Sequence, residues 1–252
     1  MFPCKNSVSA FCLVVAAISA QVSCSSSNEE VFEPCYVTTL DPADLCDPAT
    51  VTFSLNSTND YYPLVVGNIS ILEGEEDGDT IRIEREVLNE TQVIDVDGVQ
   101  VTTRVLEATE YINDALYEIA RNFYVEAADG TVCYFGEDVE FYENGVVVNT
   151  NGTWRAGVDG ALPGIIMPAV PAVGNAYFQE QAPGIAMDMG RITLIEASRD
   201  IGGTTYQNVV TVLDVNPLDS CAPADEEPKL YVPNIGEAAD VDIELTSFTP
   251  GT

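Results

Sequence analysis

Four dipeptides constrain this chain more than anything else in it: Asp77-Gly78, Asp97-Gly98, Asp129-Gly130 and Asn144-Gly145. A tight hairpin turn needs left-handed backbone at its central residues, which Asn, Asp and Gly adopt at least cost. Their spacing of roughly 15 to 30 residues suits long antiparallel strands in a meander rather than the short strands of an immunoglobulin-type sandwich. The text between the turns agrees. Residues 80–87 place Ile81, Ile83 and Val87 on one face and Arg82, Glu84 and Glu86 on the other, as in a sheet with one solvated face. Val99, Val101, Thr103 and Val105 repeat the alternation. Residues 116–125 are ambiguous by propensity, but their β-branched and aromatic ending ahead of Asp129-Gly130 marks a strand. Residues 191–197, 206–215, 229–232 and 241–248 supply the remaining strands, and neither heptads nor α/β alternation occurs. The expected fold is all-β and mainly antiparallel: a curled sheet or half-barrel of the lipocalin or lipoprotein-carrier kind.

One stretch breaks the pattern. Residues 152–190 hold the only Trp, seven of the 18 Gly, four of the 14 Pro and three of the four Met. Neither a helix nor a central strand tolerates that density of breakers. Its aromatic and apolar content argues for a long ordered loop lying over the sheet, and loops of that length in a compact domain carry function.

Charge closes several functional classes. The chain has 41 Asp and Glu against nine Lys and Arg, no His, and a formal net charge of −32. Nucleic acid and anionic membrane surfaces need an excess of Lys and Arg, which nine against 41 acids do not supply. Without His there is no Ser-His-Asp or Cys-His mechanism and no imidazole zinc site. No G-x-S-x-G, G-x-G-x-x-G or P-loop pattern occurs. The simplest role of so much carboxylate is solubility.

The first 20 residues read as a signal peptide: Lys5, an apolar run over residues 8–18, and a small-residue cleavage site ending at Ala20. No later apolar run reaches transmembrane length. Residues 21–60 read as a tether and loop-rich entry, and 61–252 as a single β domain. The chain is expected to be secreted, or held at the cell surface or in the periplasm. Five cysteines remain after the signal: Cys24, Cys35, Cys46, Cys133 and Cys221. Lipidation of Cys24, in a lipobox-like Gln21-Val22-Ser23-Cys24, leaves four for disulfides. Cys35–Cys46 with Cys133–Cys221 is one of the three pairings four cysteines allow.

Three chemistries fit the loop. Trp154, Tyr177 and Phe178, with Arg155, Asp159 and Glu180 beside them, could line an apolar site of the kind β-barrels hold at their mouths. An apolar small molecule, lipid or polymer would then be the partner of a binding module, the leading expectation. Asp159, Glu180 and Asp188 offer carboxylate pairs for a polysaccharide-active enzyme. The ordinary roles are core packing for the aromatics, a pinning salt bridge for Arg155 and a turn for Asp159-Gly160. The third is a calcium-responsive acidic envelope or matrix protein. Glu73, Glu75, Asp77 and Glu84 fall at EF-hand ligand positions around Gly78, but the crowding of Glu for Asp and strand-like flanks favour a hairpin. No cofactor is expected beyond calcium held loosely by oxygen-rich loops. Met167, Met187 and Met189 have the softness for Cu(I), yet read more simply as gap-fillers.

Several runs resemble a group of exported bacterial β-rich proteins, many of them lipoprotein-like. They are Pro63-Leu64-Val65-Val66-Gly67, Leu72-Glu73-Gly74, Tyr134-Phe135-Gly136-Glu137-Asp138, the long run WRAGVDGALPGIIMPA over residues 154–169, and GNAYFQE over 174–180. The resemblance spans residues 62–236. It departs at 231–236, where Pro-Gly is expected, and in carrying Cys133 and Cys221. It implies an exported β protein and transfers no activity and no catalytic residue.

Overall fold

The computed structural model describes residues 34–251. The signal-peptide reading and Cys24 lie outside them. A single-turn helix, α1 (Pro42–Leu45), is capped by Asp41, whose carboxylate accepts from the Ala43 amide. Apart from a 3-10 turn at Pro223–Asp225, all else regular among the described residues is strand. These are β1 (Phe53–Ser54), β2 (Ile69–Glu76), β3 (Asp79–Val96), β4 (Val99–Ile112), β5 (Ala115–Ala127), β6 (Val132–Glu143), β7 (Val146–Asn149), β8 (Trp154–Arg155), β9 (Gly164–Met167), β10 (Ala176–Phe178), β11 (Met189–Ile201), β12 (Thr204–Val215), β13 (Glu227–Val232), β14 (Gly236–Asp240) and β15 (Ile243–Thr249).

Two meanders make one antiparallel sheet. Strands β2 to β7 follow one another, β10 to β15 follow one another, and the last strand joins the two by pairing β15 with β2. The turns are those the dipeptides demand. At Asp77-Gly78, Asp97-Gly98 and Asn144-Gly145 both residues have positive φ, matching the right-handed twist of the strands they join. Asn113-Asp114 and Gly202-Gly203 do the same for β4–β5 and β11–β12. At Asp129-Gly130 only the glycine is left-handed, and the connection widens.

The sheet curls but its ladder does not close. Beyond β6 the edge is taken up by β7, β8 and β9 in succession, while β10 forms the opposite end. These ends approach each other at a seam. Leu162 donates its amide to the Gln181 carbonyl at 2.9 Å, and Gln181 Nε2 donates to the Pro163 carbonyl at 2.6 Å. A Cβ on Gly164 would stand 1.9 Å from the Gln179 carbonyl oxygen, so only glycine permits this approach. The Gly/Pro-rich stretch is thus ordered, and three short strands within it bring the two ends of the curl together.

Residues 34–60 are stapled to this body. Strand β1 pairs with β5, and the Glu126 carboxylate accepts from the Thr58 and Asn59 amides at 2.6 and 2.9 Å. The disulfides are Cys35–Cys221 and Cys46–Cys133, with Cα separations of 5.0 and 5.8 Å. The four cysteines are those expected, but the pairing suggested by proximity in sequence is corrected. The entry segment runs across the sheet, setting Cys46 into the core against β6 and Cys35 beside the β12–β13 connection.

Candidate functional site

The loop residues singled out in the sequence divide into two groups. Trp154 on β8 is 3% exposed; its Nε1 donates to Glu180 Oε1 at 3.2 Å, and its ring meets Tyr134 edge-on at 5.3 Å. Tyr177 shares the main core cluster with Trp154. Arg155 pins the strand that carries the tryptophan. It donates to the Glu137 and Trp154 carbonyls, pairs with Asp138 at 2.6 Å and lies 4.2 Å over the Phe123 ring. Asp159 stands apart in an exposed turn with φ of 51°. Phe178 packs in a separate small cluster with Tyr36, Met189 and Val215. The fold therefore joins Trp154, Arg155, Tyr177 and Glu180, and leaves out Asp159 and Phe178.

Around Glu180 the interior is acidic. The Glu180 and Asp188 carboxyls are close neighbours, and Glu180 Oε2 and Asp188 Oδ2 are buried without a hydrogen-bond partner. Glu137 is 2% exposed and leaves Oε1 without a partner, the Tyr134 hydroxyl beside it donating to Asn122 Oδ1 instead. Burial dominates their titration. It lifts Glu137 to about 8 and Glu180 to about 7, and holds Asp188 well above the carboxylate range. Burial, with the neighbouring Glu180 carboxyl raising Asp188 further, favours the protonated form of this pair. Farther along the same face, Glu110 and Glu118 oppose each other across β4 and β5, and burial raises them to about 8 and about 7.

A pocket lies elsewhere, where residues 62–68 cross β2, β3, β14 and β15. Its walls include Tyr62, Val87, Leu106, Ile235 and Phe248, with Arg85 and Glu237 at one side. The cavity measures about 40 Å³, room for roughly three waters or a group the size of a short alkyl end. Arg85 Nη1 lies 2.5 Å from Glu237 Oε1, and both side chains are largely buried. Glu237 and Asp240 hold the guanidinium charged against the cost of burial. The sequence reading passed over these residues. One signal was present: Arg85 falls in phase with Ile81, Ile83 and Val87, on the buried face of β3.

The EF-hand-like run is a hairpin. Glu73 and Glu75 lie on β2 and Glu84 on β3, and Arg82 pairs with Glu73 at 3.9 Å and Glu84 at 2.8 Å. Met167 and Met189 fill different clusters. No group of three acidic or cysteine side chains among the described residues is arranged to hold a metal ion.

Fold and interior define a curled antiparallel half-barrel with a polar, carboxylate-rich face and a small amphipathic pocket. Comparison with known proteins finds no matching family model, no curated relative and no solved structure. The two disulfides fit an oxidising compartment outside the cytoplasm. No helix among the described residues is long and apolar enough to cross a membrane.

Proposed function

We propose that this protein is an exported binding module that grips one end of an apolar small molecule, lipid or polymer in the pocket beside Arg85 and Glu237. The observation that carries the reading is the pairing of apolar walls with a buried ion pair in one cavity. Val87, Leu106, Ile235 and Phe248 supply the surface a ligand desolvates, and a few placed polar groups orient it, the usual division of labour in small-molecule sites. The net charge of −32 disfavours an anionic ligand at long range, so a neutral or cationic polar group suits the mouth. Export rests on the signal-like first 20 residues together with the disulfides.

The test is native mass spectrometry of the protein from its own exporting host, as wild type and as Leu106→Trp, which fills the pocket. A co-purifying organic mass present in the first and lost in the second supports the reading. The same mass in both variants moves the ligand elsewhere, back towards Trp154 and Tyr177.

A second reading has one observation in its favour. Glu180 and Asp188, two of the three acids the sequence offered for carboxylate chemistry, do meet. Glu180 is 4% exposed, which leaves the pair no open cleft in which to flank a glycosidic bond. Holding a proton is what this pair can do, beneath a buried indole. A glycan panel on wild type and Glu180→Gln tests it; turnover lost in the variant would favour the enzyme.

A further inference from the structure

Lys229 is one of only two lysines in the sequence, the other being Lys5. It sits on β13 with Val212 of β12 and Asp240 of β14 directly opposite, and Asp214 two residues beyond Val212 on the same face. Its Nζ lies 2.8 Å from Asp214 Oδ2 and 3.8 Å from Asp240 Oδ2. The second oxygen of each acid, Asp214 Oδ1 and Asp240 Oδ1, is buried without a hydrogen-bond partner. Val210, Val212 and Tyr231, on the same face, are buried. A buried ion pair with half its acceptors unsatisfied recovers its desolvation cost poorly. One amine, one acid in contact with it and a second acid 3.8 Å away, close enough for a side-chain shift or one water to carry a proton, all largely buried, are also the parts of an amide condensation.

We propose that Lys229 and Asp214 join as an intramolecular isopeptide bond, with Asp240 as the proton carrier. The Lys229 ammonium first gives a proton to Asp240, which frees the Nζ lone pair to attack Asp214 Cγ. The C–N bond forms, the tetrahedral centre collapses, and one Asp214 oxygen leaves. That oxygen is the hydroxyl of the neutral Asp214 acid; it already carries one proton and takes a second from the attacking nitrogen, so it departs as water while Asp240 keeps the proton it accepted. One N–H stays on the amide, and nothing is oxidised or reduced. Burial raises Asp214 to about 6, which brings its neutral, electrophilic form within reach near neutral pH. Asp214 and Asp240 hold the lysine protonated, and this is why the transfer to Asp240 must come first. The product ties β12 to β13 covalently, beside the connection that Cys221 already anchors to Cys35. Proximity does most of the work, because the groups are held in contact by three paired strands.

The test uses the full chain from its exporting host, denatured, with its disulfides reduced and alkylated, then cleaved after glutamate. Cleavage after Glu226 separates the Asp214 segment from the Lys229 segment. The expected result is that the two remain joined, lighter by one water than their sum, with Lys229 silent to an amine-reactive label. Separate segments and a labelled Lys229 would overturn the proposal. Lys229→Arg keeps an ion pair and should give only separate segments. Asp240→Asn keeps the shape, and its linked fraction should fall about ten-fold or more, as expected for loss of a proton-transfer group; full linkage there would remove Asp240 from the chemistry. If either variant fails to fold, the wild-type digest still decides.

Discussion

The indole nitrogen of Trp154 donates to Glu180 at 3.2 Å, and the Glu180 carboxyl neighbours that of Asp188. The three side chains come from both sides of the seam where the curled sheet nearly meets itself: Trp154 pairs through β8 with β6, while Glu180 and Asp188 flank the turn between β10 and β11. The seam is therefore closed over carboxyls that retain protons when the protein is folded.

Stability should fall as pH rises. Burial holds Glu137 and Glu110 up to about 8, and Glu180 and Glu118 to about 7. Unfolded, these groups titrate at about 4 to 4.5. Between the two values the folded state binds more protons than the unfolded state, so protons favour folding there. Thermal unfolding should be highest at about pH 4 to 5 and decline until about pH 8, where the slope levels. Glu180→Gln should make the decline shallower. A melting temperature that rises across this range in the wild type would contradict the burial of these groups.

Trp154→Phe keeps the ring and removes the donor. With Glu180 buried, the loss should be about 1–3 kcal/mol, read by denaturant unfolding. It should be larger at pH 8, where Glu180 ionises, than at pH 5. An equal loss at both values would mean that the indole acts through packing alone.

The two disulfides should differ in reactivity. Cys46 and Cys133 are fully buried, while Cys221 is exposed and Cys35 partly so. Mild reductant followed by thiol tagging should label Cys35 and Cys221 well before the other pair. Removing Cys46–Cys133 by paired Ser substitutions should cost about 2–5 kcal/mol. Simultaneous tagging of all four would show that the core opens before the outer bridge reacts.

Gly164→Ala should loosen the seam. Its Cβ has no room before the Gln179 carbonyl, so β9 and β10 must part. A loss of about 2 kcal/mol or more is expected, as for overpacking at a closed site. Hydrogen exchange should quicken at the Leu162 amide first. Unchanged protection there would contradict the seam as described.

The fold was legible because hairpin chemistry is local. Asp77-Gly78 and Asp97-Gly98 specify turn geometry within about four residues of chain, and the alternation around Ile81 and Val101 then sets the faces. The disulfide pairing was not legible, because it depends on where residues 34–60 cross the sheet. Trp154 and Glu180 were visible as a concentration of unusual residues, but not that they bond each other. Asp159 looked equivalent to Glu180 in a row of acids, and only the turn at Gly160 turns it to solvent. The pocket drew on residues far apart in sequence, Tyr62, Leu106 and Phe248. Its one local sign was Arg85, a charge in the apolar phase of its strand.

The most direct test of the binding reading is titration of an environment-sensitive apolar dye into wild type, Leu106→Trp and Asp159→Asn, with folding verified for each. The account predicts saturable binding at one site in wild type and Asp159→Asn, and loss of that site in Leu106→Trp. Equal binding in all three would contradict a ligand site between Leu106 and the Arg85–Glu237 pair.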